Sequence, residues 1–367
     1  LYGKRFFREE FGKDMKILWL PDAFGFNGAI PQLLKKSGVE YFLTMKLAWN
    51  NYNMFPHHTF NWVGIDGSRV LVHMLPEETY NGPASPSAIK KIERNYIEKG
   101  ISDYALMLFG IGDGGGGPGP EHLERLEREK DLNGLAPVKQ EHAIDFFKKL
   151  DEKSGNYSSW FGELYLEKHQ GTLTSQAKNK WYNRKIEIAL REAEFSSTLA
   201  SIYAQKPYMK EKLEEIWKEV LLYQFHDILP GSSIKRVYDE SVERYSILLE
   251  QVNNIIESSY SAMTEKIAAD CRENSYMVYN SLSWERDEWV FAGGNWHRVN
   301  IPPMGCKMID AGRHEDLTFT INAEKGFIEN DIIKVHFNDD GTICSIFDKE
   351  CGCEVLDGNS PANKLAV

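Results

Sequence analysis

The stretch MKILWLPDAFGFNGAIPQLLKKSGVEYFLTM, residues 15–45, sets two short apolar runs, MKILWL and YFLTM, on either side of the amphipathic segment IPQLLKKSG. Short apolar runs separated by helical periodicity are the pattern of strands alternating with helices. The texture continues through SRVLVHML (68–75) and YALMLFGIG (104–112), which predicts an α/β domain with a parallel, barrel-like sheet over residues 1–173. Asp22 stands just beyond the first run and before a Phe-Gly-Phe turn. Alone it could simply open the next helix. In an open α/β sheet, however, ligands bind outside the carboxyl ends of the strands.

Two further textures follow. Residues 174–272 lose the strands and carry apolar residues at three- and four-residue spacing, as in KNKWYNRKIEIALREAEFSSTLASIYA and KEKLEEIWKEVLLYQFHD, which predicts a helical bundle. Residues 273–367 alternate in twos and turn on Asn-Asp-Asp-Gly and Glu-Lys-Gly, as antiparallel hairpins do. This region reads as the start of a β-sandwich with too few strands to close one.

Composition narrows the partners. The 367 residues carry 54 acidic against 43 basic side chains, a formal charge of -11. That surface repels nucleic acid and anionic membrane on average, so a neutral or cationic ligand fits better. No stretch of about 20 apolar residues spans a membrane, and the charged opening LYGKRFFREEFG lacks the apolar core of a signal peptide. The five cysteines, Cys271, Cys306, Cys344, Cys351 and Cys353, are odd in number and lack zinc-finger spacing, which suits a reducing compartment and a cytoplasmic protein. Oligomeric state is left open, a homo-oligomer included. With no initiator methionine and an opening that reads as mid-domain sequence, the chain is expected to be an internal portion of a longer protein.

Several residues could do chemistry. YALMLFGIGDGGGGPGP reads as an apolar strand that delivers Asp113 into a glycine run, Gly114 to Gly117. Glycine lets backbone pass close under a ligand, although Asp-Gly is also an ordinary turn. A phosphate cradle is excluded, because no Gly-Lys-Ser/Thr follows. Asp22 and Asp113 then share a context, each at the end of an apolar strand. Two carboxylates there are the minimum kit for acid and nucleophile chemistry on a glycosidic bond.

In VLLYQFHDILPGSS the helix is expected to stop near Pro230-Gly231, which puts His226-Asp227 in its last turns, the two side chains on different sides. A histidine at that place is also a favourable charge against the helix dipole. His57 and His58 precede an expected hairpin with Asp66-Gly67 as its turn. His169 follows an expected strand that begins near Glu163. Each of these histidines could line a cleft or serve structure alone. His314-Glu315-Asp316 has metal-pair spacing but sits in a polar stretch of the β region, and Cys351-Gly-Cys353 reads as two structural or free thiols.

Six ordered blocks together carry a more specific signal: LWLPDAFGFNGAIPQLL, FPHHTFNWVGIDGSRVL, FGIGDGGGG, GELYLEKHQGTLTSQ with Asn183-Arg184, YQFHDILPGSSIKRVY, and NSLSWERDE. In this order they resemble family 38 of the glycoside hydrolases, the α-mannosidases, in the bacterial and cytosolic branch. The resemblance implies a retaining, zinc-dependent exo-α-mannosidase acting on terminal α-mannosides of oligosaccharides through a covalent glycosyl-enzyme. It implies Asp22 as nucleophile and zinc ligand, Asp113 as general acid/base, His226 as zinc ligand and Asp227 as a sugar contact, with His58 and His169 as weaker candidates. Family members carry an upstream His-x-Asp and tryptophan that supply further zinc ligands, and no such block precedes Asp22. A catalytic zinc takes at least three protein ligands, so Zn²⁺, one per site, is expected to draw its remaining ligands from upstream, and this chain alone is expected to be inactive. Two other readings are a metal-dependent carbohydrate deacetylase, in which the metal activates water, and a non-catalytic carbohydrate-binding module, whose aromatic residues near Asp22 (Trp19, Phe24, Phe26) would stack on sugars or simply fill the core.

Overall fold

A computed structural model of the chain describes residues 1–267, 274–312, 320–358 and 360–364. It divides into two compact units, Leu1–Tyr260 and Ser261–Val367. His314-Glu315-Asp316 and Cys271 lie outside the described residues.

In the first unit a five-stranded sheet is built from β1 (Ile17–Trp19), β2 (Tyr41–Thr44), β3 (Thr59–Val63), β4 (Arg69–Met74) and β5 (Ser159–Phe161), in the order β1-β2-β4-β3-β5. The pairs β1/β2, β2/β4 and β3/β5 run parallel, and β3/β4 is an antiparallel hairpin. The expected all-parallel sheet is therefore mixed, and the hairpin closes where the sequence places Asp66-Gly67. There Gly64 and Ser68 bond through their backbones at 2.8 Å, and Asp66 Oδ1 accepts the Ser68 N–H.

Helices join the sheet: α1 (Tyr2–Phe11), α2 (Ile30–Lys36), α3 (Pro86–Asn95), α4 (Pro120–Glu129) and α5 (Ala143–Asp151). The central strands read as unbroken apolar runs because both of their faces are covered. Side chains alternate along a strand, so Phe42, Val70 and Val72 join one core with Leu34 of α2 and Trp62, while Tyr41, Leu43 and Leu71 join another with Phe146, Phe147 and Leu150 of α5. Each fully buried side chain of this size contributes about 1.5–3 kcal/mol. Trp62 also finds a partner for its polar edge, Nε1 donating to the Gly162 carbonyl at 2.7 Å.

The segment 104–109, expected as a strand, forms only an isolated bridge between Phe109 and Gly82. Gly82 donates to the Leu108 carbonyl and accepts from Gly110 N–H. Pro83 then offers no donor and Ala84 turns to φ 48°, so the ladder cannot extend.

Three further helices follow: α6 (Ala177–Tyr203), α7 (Lys210–Tyr223) and α8 (Lys235–Ile267), the last belonging to this unit as far as Tyr260. Ile186, Leu190 and Ala193 of α6, Ile216 and Val220 of α7, and Tyr245, Leu248 and Val252 of α8 share one buried cluster. The three- and four-residue spacing of these positions is what puts them on single helix faces.

After the last turns of α8, the described residues of the second unit form strands. β6 (Ser275–Asn280) pairs β9 (Gly305–Asp310), and β7 (Arg286–Ala292) pairs β8 (Asn295–Ile301). The strands β10 (Asn322–Glu324), β11 (Phe327–Glu329), β12 (Ile333–Phe337), β13 (Ile343–Asp348) and β14 (Cys353–Glu354) form an antiparallel meander. The chain is thus an α/β region, a helical region and a strand region in succession.

Candidate active site

Parallel strands end on the same side of a sheet, and the carboxyl ends of β1, β2 and β4 each continue into a residue of one cluster. Asp22 follows β1, Lys46 follows β2, and Tyr80 follows β4 in the segment 75–82. Thr44 fastens the first two ends together: its hydroxyl donates to the Leu20 carbonyl at 2.8 Å, and Leu20 N–H donates to the Leu43 carbonyl at 3.0 Å. Asp22 and Lys46 are therefore held side by side, and the Lys46 ammonium forms an ion pair with Asp22 Oδ1. That oxygen is buried from solvent.

Asp113 arrives from the glycine-rich loop, with its own backbone at φ 54°. A non-glycine residue in this region is uncommon, though aspartate tolerates it better than most. The loop is stitched to the segment carrying Tyr80. Asn81 Oδ1 accepts the Gly112 N–H at 2.5 Å, and Asn81 Nδ2 lies 3.5 Å from Asp113 Oδ2. A Cβ on Gly112 would sit 2.4 Å from Asn81 Oδ1, and one on Gly82 would sit 2.2 Å from the Leu108 carbonyl. Only glycine permits these approaches.

The Tyr80 hydroxyl then joins the two acids. It donates to Asp113, with oxygen separations of 3.0 and 3.2 Å, and lies 3.4 Å from Asp22 Oδ2. Burial, reinforced by both carboxylates, raises the phenol above its ordinary value, so it remains a proton donor wherever the acids are ionised. In the same segment, burial pushes the Glu77 carboxyl up to about 7, with Lys91 opposing.

His226 comes from the far side. Helix α7 stops at Tyr223, short of the expected end, and residues 225–231 continue as turns held by the Phe225 and Ile228 carbonyls. His226 therefore leaves the helix, and its Nε2 lies 3.7 Å from Asp22 Oδ2 and 3.6 Å from Asp227 Oδ2. The expectation that His226 and Asp227 point apart is corrected, because outside a helix their side chains need not diverge. Asp227 is half exposed and lies near the Ser232 hydroxyl.

The weaker candidates separate. His58 is buried; its Nδ1 accepts the Ile97 N–H at 3.3 Å, and burial lowers its pKa. Its partners belong to the framework around Glu98, which accepts the His58 and Thr59 N–H groups. His169 follows Gly162 and Leu164 rather than a long strand, and Glu163 lies after β5 rather than at its start. Its ring packs on Phe24 at 4.8 Å and faces Trp49 at 6.4 Å.

The sequence reading missed Lys46, Tyr80 and Asn81. A signal for Lys46 was present, since it is a charge directly after the apolar run YFLTM, the same placement that singled out Asp22. Tyr80 and Asn81 stand among polar residues with no such mark.

As a zinc site the cluster offers Asp22 Oδ2 and His226 Nε2 facing one another. These are two donors, where a catalytic zinc takes three from protein. Among the described residues no group of three or more His, Cys, Asp or Glu side chains is placed to hold a metal ion. The residues present fit part of a zinc site and do not complete one. Chemically the cluster joins two carboxylates through a neutral phenol, with a cation locked on one of them.

Comparison with known proteins follows the same lines. Residues 1–163 match the model described as glycosyl hydrolases family 38 N-terminal domain, and residues 167–263 match the alpha mannosidase middle domain. Alpha-mannosidase 2C1 of Homo sapiens is 34% identical across all of this chain, which covers 36% of that protein. Alpha-mannosidase G of Dictyostelium discoideum is 33% identical, again across all of this chain and over 39% of its own length. The chain thus spans under half the length of these relatives. An alpha-mannosidase structure from Enterococcus faecalis V583 aligns with 95% of this chain and 49% of its own, at a TM-score of 0.69 and 14% identity, a likeness of fold.

Proposed function

Because the chain belongs to family 38 of the glycosyl hydrolases, we propose that it carries the reacting acids of a retaining exo-α-mannosidase acting on terminal α-mannosides of oligosaccharides. The observation that supports this most is the Tyr80 bridge. The nearest oxygens of Asp22 and Asp113 lie no farther apart than its 3.4 and 3.0 Å legs laid end to end. Retaining glycosidases hold their carboxyls about 5–5.5 Å apart, whereas inverting enzymes keep about 6.5–9.5 Å for a water.

In the proposed reaction, Asp22 attacks the anomeric carbon as Asp113 protonates the departing glycosidic oxygen. A glycosyl ester forms on Asp22 and the aglycon leaves with the Asp113 proton. Asp113, now ionised, takes a proton from the incoming water, which displaces Asp22 and releases mannose. Tyr80 holds the two acids in register and keeps its own proton. Asp227, half exposed beside the cluster, is assigned to sugar hydroxyls. His58 is left to the framework, and His169 to the wall formed with Phe24.

Zinc belongs to the proposal only in part. Asp22 and His226 would be two of its ligands, and zinc when bound would orient sugar hydroxyls. Since the described residues do not complete the site, the isolated chain is expected to be inactive. The finer architecture is proposed on the same footing: a barrel-like domain over 1–173, a helical bundle over 174–272 and the first strands of a sandwich over 273–367. The helix-covered sheet supports the α/β reading, the cluster shared by three helices the bundle, and the antiparallel strands the sandwich. A cytoplasmic setting completes it; Cys306, Cys344, Cys351 and Cys353 are free thiols, and among the described residues no helix is long and apolar enough to cross a membrane.

The test is metal content and aryl α-mannoside hydrolysis by this chain and by an N-terminally longer form, with the anomer of the first-formed mannose read by NMR. Zinc and turnover in the longer form alone, releasing α-mannose first, is the expected result. A β-first product would overturn the retaining mechanism, and turnover by the 367 residues alone would overturn their expected inactivity.

A further inference from the structure

Lys46 is among the most buried charged residues of the chain, 4% exposed. An ammonium at such a place is costly unless paired and otherwise compensated. Its compensation is specific. The Asp22 carboxylate meets it on one side, and the face of Trp49 lies 3.7 Å away on another, with the Phe24 ring at 5.8 Å. An aromatic face attracts a desolvated cation, so Trp49 keeps the ammonium from swinging off the acid. The backbone adds to this, because Lys46 and Asp22 leave adjacent parallel strands already clamped through Thr44.

The pair treats the two oxygens of Asp22 unequally. Oδ1 is buried against Lys46, while Oδ2 faces the Tyr80 hydroxyl at 3.4 Å and His226 at 3.7 Å. We infer that Lys46 is a positioning residue for the nucleophile: it ties down Oδ1, fixes the carboxylate plane and leaves Oδ2 as the oxygen that attacks. This rests on the nucleophile reading of Asp22. In the first step the Oδ2–carbon bond forms as the carbon–oxygen bond to the aglycon breaks, and the proton that leaves with the aglycon comes from Asp113. Lys46 gives up no proton; its contribution is charge and direction.

The experiment measures that first step alone, in the longer form of the protein. A 5-fluoro-α-mannosyl fluoride is used to trap the glycosyl ester, and the rate of mass gain on the intact protein is followed for the unaltered protein, Lys46→Ala and Lys46→Arg. Propylammonium is then added to Lys46→Ala, with propanol as the uncharged control. The expected result is labelling slowed about 100-fold in Lys46→Ala, with KM for an aryl α-mannoside changed less than about threefold. Labelling should be regained in part with propylammonium, not with propanol, and retained within about tenfold in Lys46→Arg, since the cation is kept but its geometry is altered. Equal labelling rates in Lys46→Ala and the unaltered protein would overturn the role of Lys46 and leave the retaining reading standing. Recovery with propanol as large as with propylammonium would overturn it too, since filled volume would then be enough. Absence of labelling in the unaltered protein would overturn the nucleophile reading and this inference with it.

Discussion

The Tyr80 hydroxyl sits 3.0 Å from Asp113 Oδ1, a contact between the segment following β4 and the glycine-rich loop that also brings the phenol to Asp22. Removing the hydroxyl and keeping the ring tests what the bridge does. In the N-terminally longer form, Tyr80→Phe is expected to lower kcat for an aryl α-mannoside about 10- to 100-fold, the range for a lost hydrogen-bond partner behind the reacting groups, with KM nearly unchanged. An unaltered kcat would show that the acids keep their register without it.

Glu77 gives the segment a dependence on pH. Its folded-state pKa, pushed up to about 7 by burial, lies above the ordinary glutamate value of 4.5, so the folded chain binds the proton more tightly than the unfolded one. The associated stability is fully present below about 4.5 and is lost as pH rises through about 7. Thermal melts from pH 4.5 to 8 should show a decline that Glu77→Gln removes; equal slopes in both proteins would refute this.

His73 acts in the opposite sense. It is fully buried, and burial lowers its imidazole to about 3. Nε2 accepts the Leu106 N–H at 3.2 Å, which leaves Nδ1–H to donate to Thr59 Oγ1 at 2.9 Å. Stability from this neutral ring is present above the ordinary histidine value of 6.5 and is lost as pH falls toward about 3. Nitrogen NMR of the ring at pH 5 should show one fixed neutral tautomer, and an imidazolium signal from folded protein at that pH would contradict the assignment.

Gly82 is expected to accept no side chain. A methyl there would press on the Leu108 carbonyl at 2.2 Å and on Glu77 Oε2 at 2.6 Å, and overpacking against backbone costs about 1–3 kcal/mol. Gly82→Ala should lower the unfolding free energy measured in urea by that amount and, in the N-terminally longer form, reduce kcat, since the bridge at Gly82 and Phe109 aligns Tyr80 with Asp113. A variant as stable and as active as the parent would remove that role from the bridge.

Much of this was legible in the residues. The runs that became β1, β2 and β4 were readable because covered strands are apolar on both faces, and the Asp66-Gly67 turn because few residues suit it. The 104–109 segment has the same apolar texture, yet what stops its ladder is its neighbour, Pro83 and Ala84, which periodicity does not report. The end of α7 lies about seven residues before the expected stop near Pro230-Gly231, for a related reason. Its apolar spacing runs on through Phe225, and only the local turns show the helix has stopped at Tyr223. Asp22 and Asp113 could be singled out one at a time, as charges at the ends of apolar runs. Tyr80 could not, because its importance lies wholly in which residues the fold brings to it.

The antiparallel hairpin has a practical consequence. Because β3 runs against β4, the exposed Asp66-Gly67 turn lies at the opposite end of the strands from the end that leads to Tyr80. The six residues of β4, rising about 3.3 Å each, set the two about 20 Å apart. A fluorophore or immobilising tag attached at that turn would report on or anchor the protein while leaving the reacting groups untouched.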